Sequence, residues 1–324
     1  MTNLINYIDS NRIKLFTLFC ISSLFFTCKQ AEINSNSTIK SSVEINILGT
    51  VQDGGMPHLG CKKSCCKDYF EKGFSKKRVV SLGIADYTYN KNYLIEASPD
   101  ISIQLNNLLD KESKKLDGIF ITHAHIGHYS GLINLGREVS NTSNVPLYLM
   151  PKMQDFISSN GPWDQLVKLK NVELKSLFHE KEEKLTENLT IIPFKVPHRD
   201  EYSETVGFKI IGPNKSALFI PDIDKWNKWE ISIKKLISKV DYAFLDGTFY
   251  DAKEINNRDI SEIPHPFIIE SLELFKDLKE SDRSKIYFIH LNHTNPLLNS
   301  KSMEYKHVVS NGYNIALEGL KLEL

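Results

Sequence analysis

The sequence has no excess of charge of either sign: 40 Lys and Arg are matched by 40 Asp and Glu. No basic block breaks that balance. The electrostatic footprint with which proteins grip a phosphate backbone is therefore missing, and nucleic acid is not an expected partner. Nor is there an apolar run of the roughly 20 residues needed to span a bilayer core. No segment repeats, which sets aside solenoids and propellers. Cysteine is scarce, five in 324 residues, and three of the five, Cys61, Cys65 and Cys66, crowd into one loop. An odd number at such spacing pairs poorly into disulfides, so metal is the better account of them.

What is present is ordinary globular material, 41% hydrophobic and 10% aromatic, enough to bury a substantial core. The N-terminus differs from the rest. Arg12 and Lys14 precede an apolar stretch over 15–26, the layout of a secretory signal peptide. It closes on Leu24-Phe25-Phe26-Thr27-Cys28, which resembles the signal of a bacterial lipoprotein. That resemblance implies an exported protein facing the periplasm or cell exterior, held to the membrane only by a lipid anchor at Cys28. Residues 29–43 are rich in Ser and Asn without an apolar period and read as a flexible tether. One folded domain is expected over 44–324.

Apolar and β-branched segments predict strands over 44–50, 78–85, 92–96, 118–122, 146–150, 189–196, 207–211, 217–220, 242–245 and 285–289. Helices are predicted over 101–109, 130–139, 226–238 and 266–279, with loops over 52–66 and 156–166. Many strands and few helices, without strict alternation, point to an α/β fold made of two packed sheets rather than one doubly wound sheet.

The chemistry gathers at His123-Ala124-His125-Ile126-Gly127-His128, at the mouth of the apolar strand 118–122. Residues two apart on extended backbone project to the same side, so His123 and His125 can share one ion, with His128 approaching from the next turn. Imidazole suits zinc, manganese and iron alike.

This run resembles the signature His-x-His-x-Asp-His of the metallo-β-lactamase superfamily. Glu96-Ala97-Ser98-Pro99-Asp100, Pro221-Asp222-Ile223, Asp246-Gly247-Thr248 and Ile289-His290-Leu291-Asn292-His293 extend the likeness, which is nearest to the pyrroloquinoline quinone biosynthesis protein B group and next to cyclic-phosphate phosphodiesterases. The resemblance implies an αββα sandwich and a metal centre. His123, His125, His198 and Asp222 would hold one ion, and His128, Asp222 and His290 a second, with Asp224 a rival to Asp222. The signature's Asp is Gly127 here, so one ion or two is left open. The resemblance also implies a structural zinc on Cys61, Cys65, Cys66 and His293, with His58 as a substitute donor.

The expected activity is hydrolysis of an ester, lactone or phosphodiester in a small molecule by a metal-bound hydroxide, with Asp222 orienting the nucleophile and His265 acting on the leaving group. Two alternatives are an iron-dependent oxidation or quinone-precursor role like that of the biosynthesis group, and a metal-containing binding protein without turnover. Asp246 reads either as a carboxylate behind the site or as a turn former, and 199–202 as a charged loop.

Overall fold

Strands that are apolar at every position bury both of their faces, and here the two faces serve two different cores. In β4 (Gly118–Phe120), Phe120 points to one side with Ile45 and Ile47, while Ile119 points to the other with Leu94. In β10 (Ser216–Ile220), Ala217 and Phe219 face inward and Leu218 and Ile220 outward. The computed structural model describes residues 43–109, 115–255 and 259–324. The expected signal over 1–28, Cys28, and the tether up to 42 lie outside the described residues; Val43 already belongs to the first strand.

Two seven-stranded sheets form. The first runs β14 (Lys321–Glu323), β1 (Val43–Gly49), β2 (Ser81–Asp86), β3 (Lys91–Ile95), β4, β5 (Val145–Leu149) and β6 (Val172–Ser176). The second runs β13 (Asn314–Ile315), β12 (Ile286–Ile289), β11 (Tyr242–Asp246), β10, β9 (Val206–Ile211), β8 (Thr190–Lys195) and β7 (Glu183–Lys184). Phe120 stacks on Tyr148 and meets the edge of Phe208 from the opposite sheet, which marks the core between the sheets. The outer face of the first sheet is covered by α2 (Ile101–Leu108), α4 (Pro151–Ser159) and α5 (Trp163–Lys168); that of the second by α6 (Ile233–Ile237), α7 (Ile268–Phe275) and α9 (Met303–Ser310). This is the expected αββα sandwich.

Several boundaries differ from expectation. Instead of a helix over 130–139, α3 (Ile126–Tyr129) comes first and a 3-10 turn (Ser130–Leu135) follows. The Gly131 N–H bonds the Ala97 carbonyl rather than its own turn, and its Cα lies so near Ser98 that a Cβ there would sit 2.0 Å from the Ser98 oxygen. The helix over 226–238 shrinks to a 3-10 turn (Trp226–Lys228) and α6. Trp226 is held instead by its Nε1–H, which donates to Ser271 Oγ. Cys65 and Cys66 lie in α1 (Ser64–Lys72) rather than in a loop. The segment 156–166 is the end of α4, a break at Gly161-Pro162, and the start of α5, with Trp163 packed on Tyr129. The strands β6, β7, β13 and β14 were not predicted, being short or half-exposed at sheet ends.

Candidate metal centre

Neighbouring parallel strands deliver side chains to one end of the sandwich, since loops leave each strand's C-terminal end at the same level. β10 pairs parallel with β11, and β11 with β12. Asp222, Asp246 and His290 therefore arrive side by side. β4 feeds His123 and His125 from the first sheet, α3 carries His128, and β8 leads to His198. The Val206 N–H to Thr122 carbonyl bond ties the histidine run to the second sheet. His290 has φ 62° and Glu96 φ 70°, left-handed conformations that non-glycine residues adopt at a cost of about 1–3 kcal/mol and that cluster at functional sites.

The ligand atoms of His123, His125 and His198 lie within 4.8 Å of one another, as do those of His123, His128 and Asp222. Asp222 faces two ways. Its Oδ1 is 3.7 Å from His198 Nε2 and from His265 Nδ1; its Oδ2 is 3.1 Å from His128 Nε2 and 3.3 Å from His290 Nε2. That is the geometry of a bridging carboxylate. Asp224 turns away and accepts from Lys228, so the rival assignment fails on geometry.

Hydrogen bonds fix which nitrogen His123, His125 and His290 present. Thr122 Oγ1 donates to Glu96 Oε1 at 2.5 Å and so accepts from His123 Nδ1 at 2.9 Å, leaving Nε2 bare. Thr248 Oγ1 donates to Asp246 Oδ1 at 2.7 Å and accepts from His290 Nδ1 at 2.9 Å. His125 Nε2–H points to Glu201 Oε2, 3.2 Å away, which bares Nδ1. Two unprotonated nitrogens, His123 Nε2 and His125 Nδ1, then face each other at 2.8 Å. Lone pairs so placed repel unless a cation lies between them.

Buried polar atoms are normally satisfied, yet here unpartnered ones gather: Asp53 Oδ1, both nitrogens of His128 and of His198, Asp222 Oδ2 and His290 Nε2. Imidazole nitrogens and carboxylate oxygens are a donor set for zinc, manganese or iron, so these residues fit such an ion. Electrostatics agree. Burial drives the His123 proton affinity far down and that of His198 down to about 4, which keeps both neutral. Burial also opposes charge on Asp222 and His128, but the surrounding histidines hold Asp222 well below the usual carboxylate range, and Glu96 and Asp222 raise the His128 proton affinity.

His265 sits beside this cluster, buried, with Nδ1 2.8 Å from Asp246 Oδ2. Asp246 outweighs the burial and raises its pKa. Asp246 is thus both of the things its sequence suggested: it accepts the Thr248 N–H in a turn and it stands behind His265. Of the charged loop, Glu201 reaches the site through His125, while Asp200 is taken up by Thr205.

The structure also brings the Cys61, Cys65 and Cys66 thiols and His293 within 4.8 Å of one another. The cysteines are free thiols, with Cys61 and Cys65 Sγ 4.0 Å apart and Cys65 and Cys66 Sγ 3.9 Å apart. Burial and the neighbouring sulfurs push Cys65 up to about 12. His293 donates from Nδ1 to Asn292 Oδ1 and keeps Nε2 for the cluster. His58, the substitute donor, stacks on His293 at 4.3 Å, and its backbone N–H bonds Cys66 Sγ.

Sequence reasoning did not single out Glu96 or Thr248 as ligand supports, and it missed Asp53. The Asp53 Oδ1 is 3.2 Å from His128 Nε2 and 3.7 Å from His290 Nε2. In the run Gln52-Asp53-Gly54-Gly55 it reads only as a turn former.

Residues 91–291 match the family model described as the beta-lactamase superfamily domain. Coenzyme PQQ synthesis protein B of Methylorubrum extorquens (strain PA1) is 24% identical over 307 residues, covering 87% of this chain and all of that protein. The zinc-bound crystal structure of PqqB from Methylobacterium extorquens superposes with a TM-score of 0.72 at 22% identity, over 87% of this chain and all of the other. A diphosphatase of the PhnP family gives 0.63 at 22% identity, over 87% and 97%.

Proposed function

Since the chain belongs to the beta-lactamase superfamily domain family, we propose that it is a metal-dependent hydrolase, with zinc, manganese or iron as the ion, acting on an ester, lactone or phosphodiester bond of a small molecule. The observation that carries this reading is the pair of bare nitrogens on His123 and His125, 2.8 Å apart beside His198 and Asp222. His123, His125, His198 and Asp222 would hold one ion, and Asp222 would share itself with a second position at His128 and His290. When bound, such an ion supplies Lewis acidity and a water-derived nucleophile near neutral pH.

The chain's own residues do the rest. Asp222 would accept a hydrogen bond from the attacking water and so fix its direction. Asp246 holds the His265 ring by Nδ1 and favours its protonated form, so Nε2 carries a proton to give to the leaving oxygen. The Cys61, Cys65, Cys66 and His293 cluster is read as a structural zinc that fixes the loop beside the site. The polar tether and the lipoprotein-like signal support export with a lipid anchor at Cys28; substituting Cys28→Ala and following detergent-phase partitioning of the full chain tests this.

The test of the activity is turnover of generic phosphodiester and lactone substrates by the protein and by His123→Ala. Metal-dependent hydrolysis that the variant loses supports the reading; no turnover with zinc, manganese or iron, at full metal content, overturns it. A second reading is favoured by the donor set itself, nitrogen and oxygen without sulfur, which suits iron, and by likeness to the coenzyme PQQ synthesis proteins. Oxygen consumption by anaerobically purified, iron-loaded protein separates it from hydrolysis. A binding protein without turnover is the remaining outcome of the same assays.

A further inference from the structure

In the resemblance to the His-x-His-x-Asp-His signature, the one missing side chain is the carboxylate at position 127. The structure shows what occupies that space. A Cβ built on Gly127 would stand 2.1 Å from Asp53 Oδ1 and 2.7 Å from the Asp53 Cα. The second contact is to backbone, so no rotamer change at Asp53 would make room. Gly127 and Asp53 fit each other, and a side chain at 127 and this path of the Asp53 loop exclude each other.

The Asp53 carboxylate also aims where the absent one would be used. Its Oδ1, His128 Nε2 and His290 Nε2 all lie within 4.8 Å of one another, and that oxygen is buried without a hydrogen-bond partner. Asp222 Oδ2 faces the same two nitrogens, at 3.1 and 3.3 Å. Two carboxylates and two histidines are thus gathered in one place.

Backbone pairing fixes the loop there. The Leu291 N–H bonds the Thr50 carbonyl and the Gln52 N–H bonds the Leu291 carbonyl, at 2.9 and 3.0 Å, so Asp53 is clamped beside the strand end that carries His290. The Gly55 N–H closes a turn on the Gln52 carbonyl. Five residues after Asp53, His58 stacks on His293. The loop is held at both ends.

We propose that Asp53 supplies the carboxylate ligand of a second active-site metal, together with His128, Asp222 and His290, so that the chain keeps a two-metal centre whose acidic ligand comes from the loop after β1 instead of from the histidine run. This rests on the metal-centre reading given above but not on hydrolysis, because its test reads metal.

The experiment measures zinc by mass spectrometry in the purified holoprotein and titrates cobalt(II) into it after mild chelation, following the d–d absorption. The wild type takes two active-site equivalents besides the cysteine-bound one. Asp53→Asn keeps the first active-site ion and the cysteine-bound ion and holds the second at least about 100-fold more weakly. Gly127→Asp loses the second ion or the fold, since its Cβ meets the Asp53 backbone as well as the Asp53 carboxylate. A wild type with only one active-site ion overturns the proposal, as does an Asp53→Asn variant that binds both within about threefold of wild type. Should Asp53→Asn fail to fold, Asp53→Gly decides, since it removes the carboxylate without leaving an amide in its place: loss of the second ion with the first kept supports the relocation, and both ions kept refutes it. Intact stoichiometry without turnover would remove the hydrolase reading and leave this one standing.

Discussion

Thr122 and Thr248 perform the same task on opposite sheets. Each hydroxyl donates to a buried carboxylate, Glu96 or Asp246, and each oxygen stands 2.9 Å from the Nδ1 of a histidine, His123 or His290. The carboxylate fixes the hydroxyl, the hydroxyl fixes the tautomer, and the tautomer bares Nε2. Removing such supports weakens metal binding without removing a ligand. Thr122→Val is expected to lower metal affinity by about 10–100-fold, while Thr122→Ser, which keeps the hydroxyl, stays near wild type. Competition with a chromogenic chelator reads both; equal losses in Val and Ser would refute the tautomer role.

His265 owes its proton to Asp246 Oδ2, 2.8 Å from its Nδ1. Asp246→Asn replaces the charge with a neutral amide and lets burial dominate, so the pKa of His265 falls. The alkaline limb of the pH–rate profile, where the general acid loses its proton, is then expected to move to lower pH. An unmoved alkaline limb removes His265 from that role.

Cys66 is fully buried within the thiol cluster. Cys66→Ser is expected to release one zinc equivalent at unchanged active-site stoichiometry and to destabilise the domain, because structural zinc contributes binding energy to folding. Metal content and thermal melting are the readouts, and retention of that zinc by the variant argues against the assignment.

Glu254 carries a pH signature. Burial raises its pKa from 4.5 to about 7, against the opposing bonds from the Tyr250 N–H and from Thr294 Oγ1. Its folded-state pKa is above the unfolded one, so the stability it contributes is full below about pH 4.5 and is lost as pH rises through about 7. Glu254→Gln is therefore expected to match wild type near pH 4.5 and to exceed it by about 1–2 kcal/mol at pH 8. Urea denaturation at the two pH values checks this; a gain that is the same at both contradicts it.

Phe120 lies fully buried between Tyr148 and Phe208 at the meeting of the sheets. Phe120→Ala is expected to cost about 3–5 kcal/mol through lost burial and the cavity left behind. Chemical denaturation gives the value, and a loss under about 1 kcal/mol would mean the core closes over the gap.

The sequence was most legible where chemistry and strand pattern coincide. His123, His125 and His128 stand in one run, and His198, Asp222 and His290 each follow an apolar segment, so the period-two pattern that reveals the strands also locates the residues at their ends. Helix limits were less legible. Gly131 gives its N–H to Ala97, and Trp226 is fixed by Ser271, partners that no local pattern contains. Asp53 was illegible for the same reason in sharper form: only the fold places residue 53 against residue 127, and in the chain it looks like any Asp-Gly turn.

Glu44 pairs with Glu323, and the Leu324 N–H bonds the Val43 carbonyl, so β1 has its outer neighbour at the opposite end of the described chain. During synthesis, therefore, the first strand of the domain emerges long before the last one, and its open edge must wait. Closure of so distant a pair carries a large loop entropy and slows folding. The loop that follows β1 inherits that delay: its bridge from Val51 to Leu291 also needs a late strand. Ions offered to a partly made chain would meet histidines 123, 125 and 128 together, but the full set of candidate ligands is assembled only once the strand that carries His290 has joined its sheet.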